Sequence, residues 1–129
     1  MNGAQGNLYY CNGIVVGVKA SGMNFYIAMK DLGIMHWSTA WDQCSSYVFC
    51  GSLKGEVPTK AQLVTIYNNK SSINSLLSTS GGTQLTNDFY WSFSSCGNNA
   101  YERVDMSIGT VGCNFYSLSN YIRPVLTSW

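Results

Sequence analysis

A chain of 129 residues with 46% apolar and 14% aromatic content can bury a core as a single domain, 1–129, and is too apolar to remain disordered. Charged residues are only 10%, the net charge is +1, and Lys19, Lys30, Lys54, Lys60, Lys70, Arg103 and Arg123 form no basic stripe, so no nucleic-acid partner is expected. The longest aliphatic run, GIVVGV, is too short to span a bilayer, and MNGAQGNLYY has neither the basic nor the apolar region of a signal peptide, so neither membrane insertion nor a cleaved leader is expected.

The first predicted element is a hairpin from Leu8 to Val18, with LYYC and IVVGV flanking the turn pair Asn12-Gly13. MNFYIAMK, residues 23–30, reads as a third strand. STAWDQCSSYV follows as a helix, with Ser38 or Thr39 as its cap. Pro58-Thr59 opens the clearest helix: Thr59 caps, Gln62 completes a capping box, and Leu63, Ile66 and Tyr67 make one apolar face. A shorter helical piece, SSINSLLS, ends at Gly81-Gly82. Beyond Gly82 helical periodicity disappears. In AYERVDMSI, Ala100, Val104, Met106 and Ile108 alternate with Tyr101, Arg103, Asp105 and Ser107, which puts the two sets on opposite faces of a strand; Glu102 breaks the pattern. NYIRPVLT closes the chain as a strand whose Pro124 suits an edge or a bulge. Strands, then two or three helices, then strands indicate an α+β fold.

The residues with reactive side chains form no catalytic pattern. His36 is the single histidine and lies outside any nucleophile signature, and the carboxylates Asp31, Asp42, Glu56, Asp88, Glu102 and Asp105 show no paired spacing. No enzyme activity, cofactor or metal is expected. The cysteines are Cys11, Cys44, Cys50, Cys96 and Cys113, an odd set that does not read as a disulfide framework; Cys44 and Cys50 are close enough to pair in an oxidising setting. Asn69-Lys70-Ser71 matches a glycosylation sequon, a frequent chance occurrence.

Four motifs occur in order: MHWSTAWDQC (35–44), GSLKGEVPTKAQLVTIY (51–67), FYWSFSS (89–95) and YIRPVL (121–126). They resemble a C-type-lectin-fold family of gut bacteria and their phages, typified by W..A...C, G..G.LPT..EL, YWSSS and VRPV. Gln62, Phe93 and Ile122 depart from the usual residues without disturbing the pattern. Within that family the chain is most similar to variable proteins of diversity-generating retroelements, in which template adenines are mutated. The resemblance implies a C-type-lectin-like α+β fold with closely placed termini. It also implies a ligand- or receptor-binding role on a phage tail or bacterial surface, with oligomerisation open. An invariant adhesin or pilus-tip domain of the same fold is the alternative.

The resemblance carries a compositional expectation. AAC codons varied at adenine cannot encode Lys, Gln, Glu, Met or Trp. Residues 92–121 contain no Lys, Gln or Trp, one Glu (Glu102) and one Met (Met106). The expected variable face is therefore Phe93, Ser95, Cys96, Asn98, Asn99, Tyr101, Arg103, Asp105, Ser107, Cys113, Asn114, Phe115, Tyr116 and Ser117. All of these would share one exposed surface, with Tyr101, Phe115 and Tyr116 as aromatic anchors and Arg103 beside Asp105 as polar contacts. Cys96 and Cys113 are expected as products of codon variation, unbridged. Trp91, Arg123 and Pro124 are expected scaffold. The EPN, QPD and WND calcium motifs are absent, so recognition of a protein or cell-surface ligand without metal is the expectation.

Overall fold

The computed structural model describes residues 1–129 as an α+β fold of two five-stranded sheets, a two-stranded ribbon and three helices. In chain order the strands and helices are β1 Gly3–Gln5, β2 Leu8–Cys11, β3 Ile14–Val18, β4 Tyr26–Ala28, β5 Gly33–Met35, α1 Trp37–Ser46, β6 Val48–Cys50 and β7 Leu53–Lys54. They continue with α2 Lys60–Asn68, α3 Lys70–Thr79, β8 Phe89–Gly97, β9 Ala100–Asp105, β10 Val111–Phe115, β11 Asn120–Ile122 and β12 Val125–Leu126. The first sheet runs β1-β2-β3-β4-β12 and the second β10-β9-β8-β11-β5. All pairings are antiparallel except β11 with β8.

The local signals with a strong physical basis produce the expected elements. Asn12 and Gly13 both adopt positive φ, as a two-residue primed turn requires, and join β2 to β3. Thr59 accepts from the Gln62 N–H at 3.1 Å while the Gln62 side chain accepts from the Thr59 N–H at 2.9 Å, closing the capping box of α2. Leu63 and Ile66 are buried and Tyr67 packs against the same core. The third strand is shorter than its motif, covering only Tyr26–Ala28.

Helix α1 starts earlier than expected. His36 occupies the cap position without a side-chain bond, so neither Ser38 nor Thr39 caps. The cause is tertiary: the Trp37 backbone N–H donates to the Tyr116 carbonyl at 3.1 Å and its indole N–H donates to the Ser92 carbonyl at 2.9 Å. These bonds tie the first turn to the second sheet.

Both faces of the second sheet are covered. Tyr90 and Val104 join the principal core with Leu63, Ile66, Ile73 and Leu77 from the helices and Val18, Ile27 and Val125 from the first sheet. Trp91, one residue on, faces the other way into a cluster with Ala40, Cys44, Val57 and Ile122, which lays α1 across that side. Gly55 is needed here, because a Cβ on it would sit 2.8 Å from the Pro124 Cβ and 2.9 Å from the Cys44 carbonyl. Arg123 is buried, with its Nε 3.1 Å from Asp31, and Pro124 is buried beside it.

Three expectations are corrected. The cysteines, which did not read as a disulfide framework, do form bridges: Cys50 bonds Cys11, 39 positions away, while Cys44, whose pairing with Cys50 the sequence left open, is a free, fully buried thiol whose pKa burial pushes up to about 12. Ile108 does not continue the apolar face of β9, since the chain turns after Asp105 and leaves it exposed. The first hairpin and the C-terminal strand lie in one sheet but do not touch strand to strand. β1 and β12 form its opposite edges with β4 beside β12; Leu126 of β12 shares a buried cluster with Tyr9 of the hairpin, and Trp129 packs edge-on to Tyr26 and Tyr9 at 5.0 and 6.2 Å.

Candidate binding face

The β8–β9–β10 unit carries the expected variable segment. Its hairpin turn is built by Asn98 and Asn99, with φ of 52° and 60°, between the paired Gly97 and Ala100. Asn tolerates this left-handed conformation better than other residues with side chains, which is why the turn holds with no glycine in its two centre positions. The Tyr116 N–H donates to the Asn99 carbonyl at 2.8 Å, so β10 returns along the tip. Cys96 and Cys113 form a disulfide with their Cα atoms 6.4 Å apart, which overturns the unbridged expectation for this pair.

The expected site residues do not share one face. The pairings Tyr101↔Asn114 and Arg103↔Gly112 put Tyr101, Arg103, Asp105 and Asn114 on the α1 side of the sheet, whereas Cys113 and Phe115 pair with Glu102 and Ala100 on the opposite side. The chain brings together Cys96, Asn98, Asn99, Cys113, Asn114, Phe115, Tyr116 and Ser117 around the hairpin tip. Apart from the half-buried Asn114, which donates to the Asn120 side chain at 3.3 Å, these are exposed. Phe93, also exposed, leaves the ladder at a bulge where its N–H bonds the Pro58 carbonyl, and it lines a separate cleft of about 440 Å³ with Trp41, Val57 and Glu56. Ser95 is exposed on the bulged stretch, and Ser107 lies beyond the far end of β9.

Three polar or aromatic positions expected to be free are occupied within the fold. Tyr101 stacks on Trp37 with ring centroids 3.6 Å apart and planes within 6°, and is half-buried. It is therefore scaffold as much as surface. The Arg103 guanidinium sits 4.1 Å above the Phe89 ring and lies across Gly112, where a Cβ would come within 2.6 Å of it. Asp105 accepts from the Ser107 hydroxyl at 2.5 Å and its backbone N–H at 2.9 Å, which hold its carboxyl below the ordinary aspartate value. Glu102, the residue that broke the alternation, is resolved by Lys60 at the start of α2, 3.3 Å away.

Open apolar side chains line β10 and the segment just after it. Phe115 and Tyr116 are 60% and 47% exposed, and Val111 and Leu118, which the sequence reading passed over, are 44% and 48% exposed. An open groove of about 560 Å³ on the Phe115 side is bordered by Cys96, Asn98, Ala100, Cys113 and Leu118. A smaller hollow of about 200 Å³ on the other side lies between Trp37, Asn99, Tyr101 and Tyr116. Trp37 was visible in the sequence only as part of a motif; its contact with the hairpin spans too much chain to be read from spacing.

The disulfide should hold this tip together. The double substitution Cys96→Ser, Cys113→Ser is expected to lower the unfolding free energy by about 3 kcal/mol, the loop-closure value for a bridge of this span. Urea denaturation under non-reducing conditions measures it, and an unchanged midpoint would show that the tip is held without the bridge.

His36 is exposed, the free thiol Cys44 is enclosed in the Trp91 cluster, and no three His, Cys, Asp or Glu side chains converge. No helix is long and apolar enough to cross a membrane. The chain matches no known family model, and no curated protein is detectably similar to it.

Proposed function

We propose that the chain is a C-type-lectin-like binding module, of the kind diversified by a retroelement, that recognises a protein or cell-surface ligand through its β8–β10 tip. The observation that supports this reading is spatial. Ala40 and Cys44 come from the first sequence motif, Val57 from the second, Trp91 from the third and Ile122 from the fourth, and they meet in one buried cluster. The motifs that carry the resemblance are thus the parts that hold the scaffold together. The segment between the third and fourth motifs projects from that cluster and exposes Phe115 and Tyr116, large rigid side chains of the type that dominate binding energy. The module works without turnover or metal, displayed on a phage tail or a bacterial surface.

The second reading, an invariant adhesin or pilus-tip domain on the same scaffold, draws support from the Cys96–Cys113 bridge, because a bridge needs both cysteines together. Sequencing the surrounding locus separates the two. A reverse transcriptase and a near-identical template repeat differing at adenines are expected, and a locus with neither overturns the retroelement reading. At the protein level, Phe115→Ala or Tyr116→Ala should each weaken binding to cells bearing the ligand by on the order of 2 kcal/mol where the residue is a hot spot. Unchanged binding in both variants would place recognition elsewhere.

A further inference from the structure

Strand β10 is the longest free sheet edge in the molecule. Of the other outer strands, β1, β5 and β6 have three residues each and β7 and β12 two each, and Val125 of β12 is already bridged to Glu56. β10 has five residues and pairs only with β9.

Its hydrogen-bonding parity follows from two bonds at its ends. The Asp105 N–H donates to the Thr110 carbonyl and the Tyr116 N–H to the Asn99 carbonyl, so the even-numbered positions 110–116 turn their backbone groups toward β9. Val111, Cys113 and Phe115 therefore turn theirs outward, and of these only the Phe115 carbonyl has a partner, the Leu118 N–H at 3.0 Å. Natural edges of this kind are usually blunted by a charge, a proline or extreme shortness. The stretch 109–119, GTVGCNFYSLS, contains no charge and no proline.

We propose that β10 is the pairing edge of a symmetric dimer, onto which a second copy of this chain adds its own β10 in antiparallel register about Cys113. The complement to an open row of N–H and C=O groups is another extended backbone. A second copy fits because the edge is self-complementary. Centring the two-fold on Cys113 places Val111 of each copy opposite Phe115 of the other, a β-branched residue against an aromatic one, twice. A two-fold also brings every edge charge near its own image, and this edge has none to repel. Joining the edges makes one continuous ten-stranded sheet from the two second sheets and leaves Tyr116 beside the seam in duplicate. The contact is small, so the association is weak and depends on concentration.

Sedimentation of the full chain up to about 1 mM, with residue-resolved amide exchange at both ends of the range, tests this. A reversible dimer is expected, with exchange slowing on concentration at the Val111, Cys113 and Phe115 amides and unchanged at Gly112 and Asn114, whose backbone groups already face β9. Val111→Pro removes an outward N–H and no bond to β9, and should weaken the dimer at least about tenfold. Val111→Lys, which keeps the N–H and adds a charge at the edge, should weaken it likewise and serves if the proline variant does not fold. A chain that stays monomeric at about 1 mM overturns the proposal and leaves the edge to a foreign strand. So does a dimer in which the three outward amides exchange as fast as in the monomer.

Discussion

Trp91→Ala is expected to lower the unfolding free energy by roughly 3–5 kcal/mol, the cost of emptying a large aromatic site that cannot collapse. Trp91 is 0% exposed, donates its indole N–H to the Met35 carbonyl at 2.8 Å, and fills the space between α1, β8 and β11. The comparison that gives the number meaning is with the exposed tip. Phe115→Ala and Tyr116→Ala should each change stability by no more than about 0.5 kcal/mol, as surface positions do. Urea melts of the three variants measured together decide the matter. If the Phe115 or Tyr116 variant unfolds as readily as the Trp91 variant, those rings are core, and the proposed binding tip is a packing region instead.

The second large effect concerns Asp31. Arg123 is 2% exposed, and its charge is balanced by Asp31, which also accepts from Tyr90 at 2.7 Å and Thr86 at 2.6 Å. Burial disfavours the charged guanidinium and the neighbouring carboxylate offsets that cost; burial and the same carboxylate both push the Tyr90 pKa up. Asp31→Ala removes the counter-charge and strands the guanidinium, which should destabilise by roughly 3 kcal/mol, the low end for a broken buried pair because Asp31 keeps 14% exposure. Replacing Asp31 and Arg123 together by apolar residues should cost clearly less, since no unpaired charge is left behind. Should the single variant melt like the parent, Arg123 is neutralised by something other than Asp31.

Elements governed by neighbouring residues were legible in the sequence. Asn12-Gly13 specifies a primed turn by its own backbone preferences, and Thr59 with Gln62 caps a helix through bonds three residues apart. The alternation around Val104 and Met106 correctly assigned buried and opposite sides, because period two is a property of the strand itself. It did not show that the opposite side is occupied. Tyr101 is covered by Trp37, sixty-odd positions earlier, and no local pattern encodes that meeting. The disulfides failed for the same reason. Cys44 and Cys50 are neighbours along the chain, but Cys44 points from α1 into the Trp91 cluster, while Cys50 on β6 lies beside the first hairpin and finds Cys11. The candidate residues do not share the single face expected of them, since the bulge at Phe93 and the bridge at Cys96 distribute them in ways strand parity alone does not describe.

The hairpin turn at Asn98 and Asn99 limits how much the proposed binding tip can offer a partner. Both residues are exposed, yet both hold left-handed backbone that only a short menu of side chains accepts without strain. Two of the most prominent positions on the tip are thus committed to keeping the chain's path. The chemical vocabulary of this surface is carried instead by the strand that runs beside them, where Phe115 and Tyr116 sit on ordinary backbone and the choice of side chain is free.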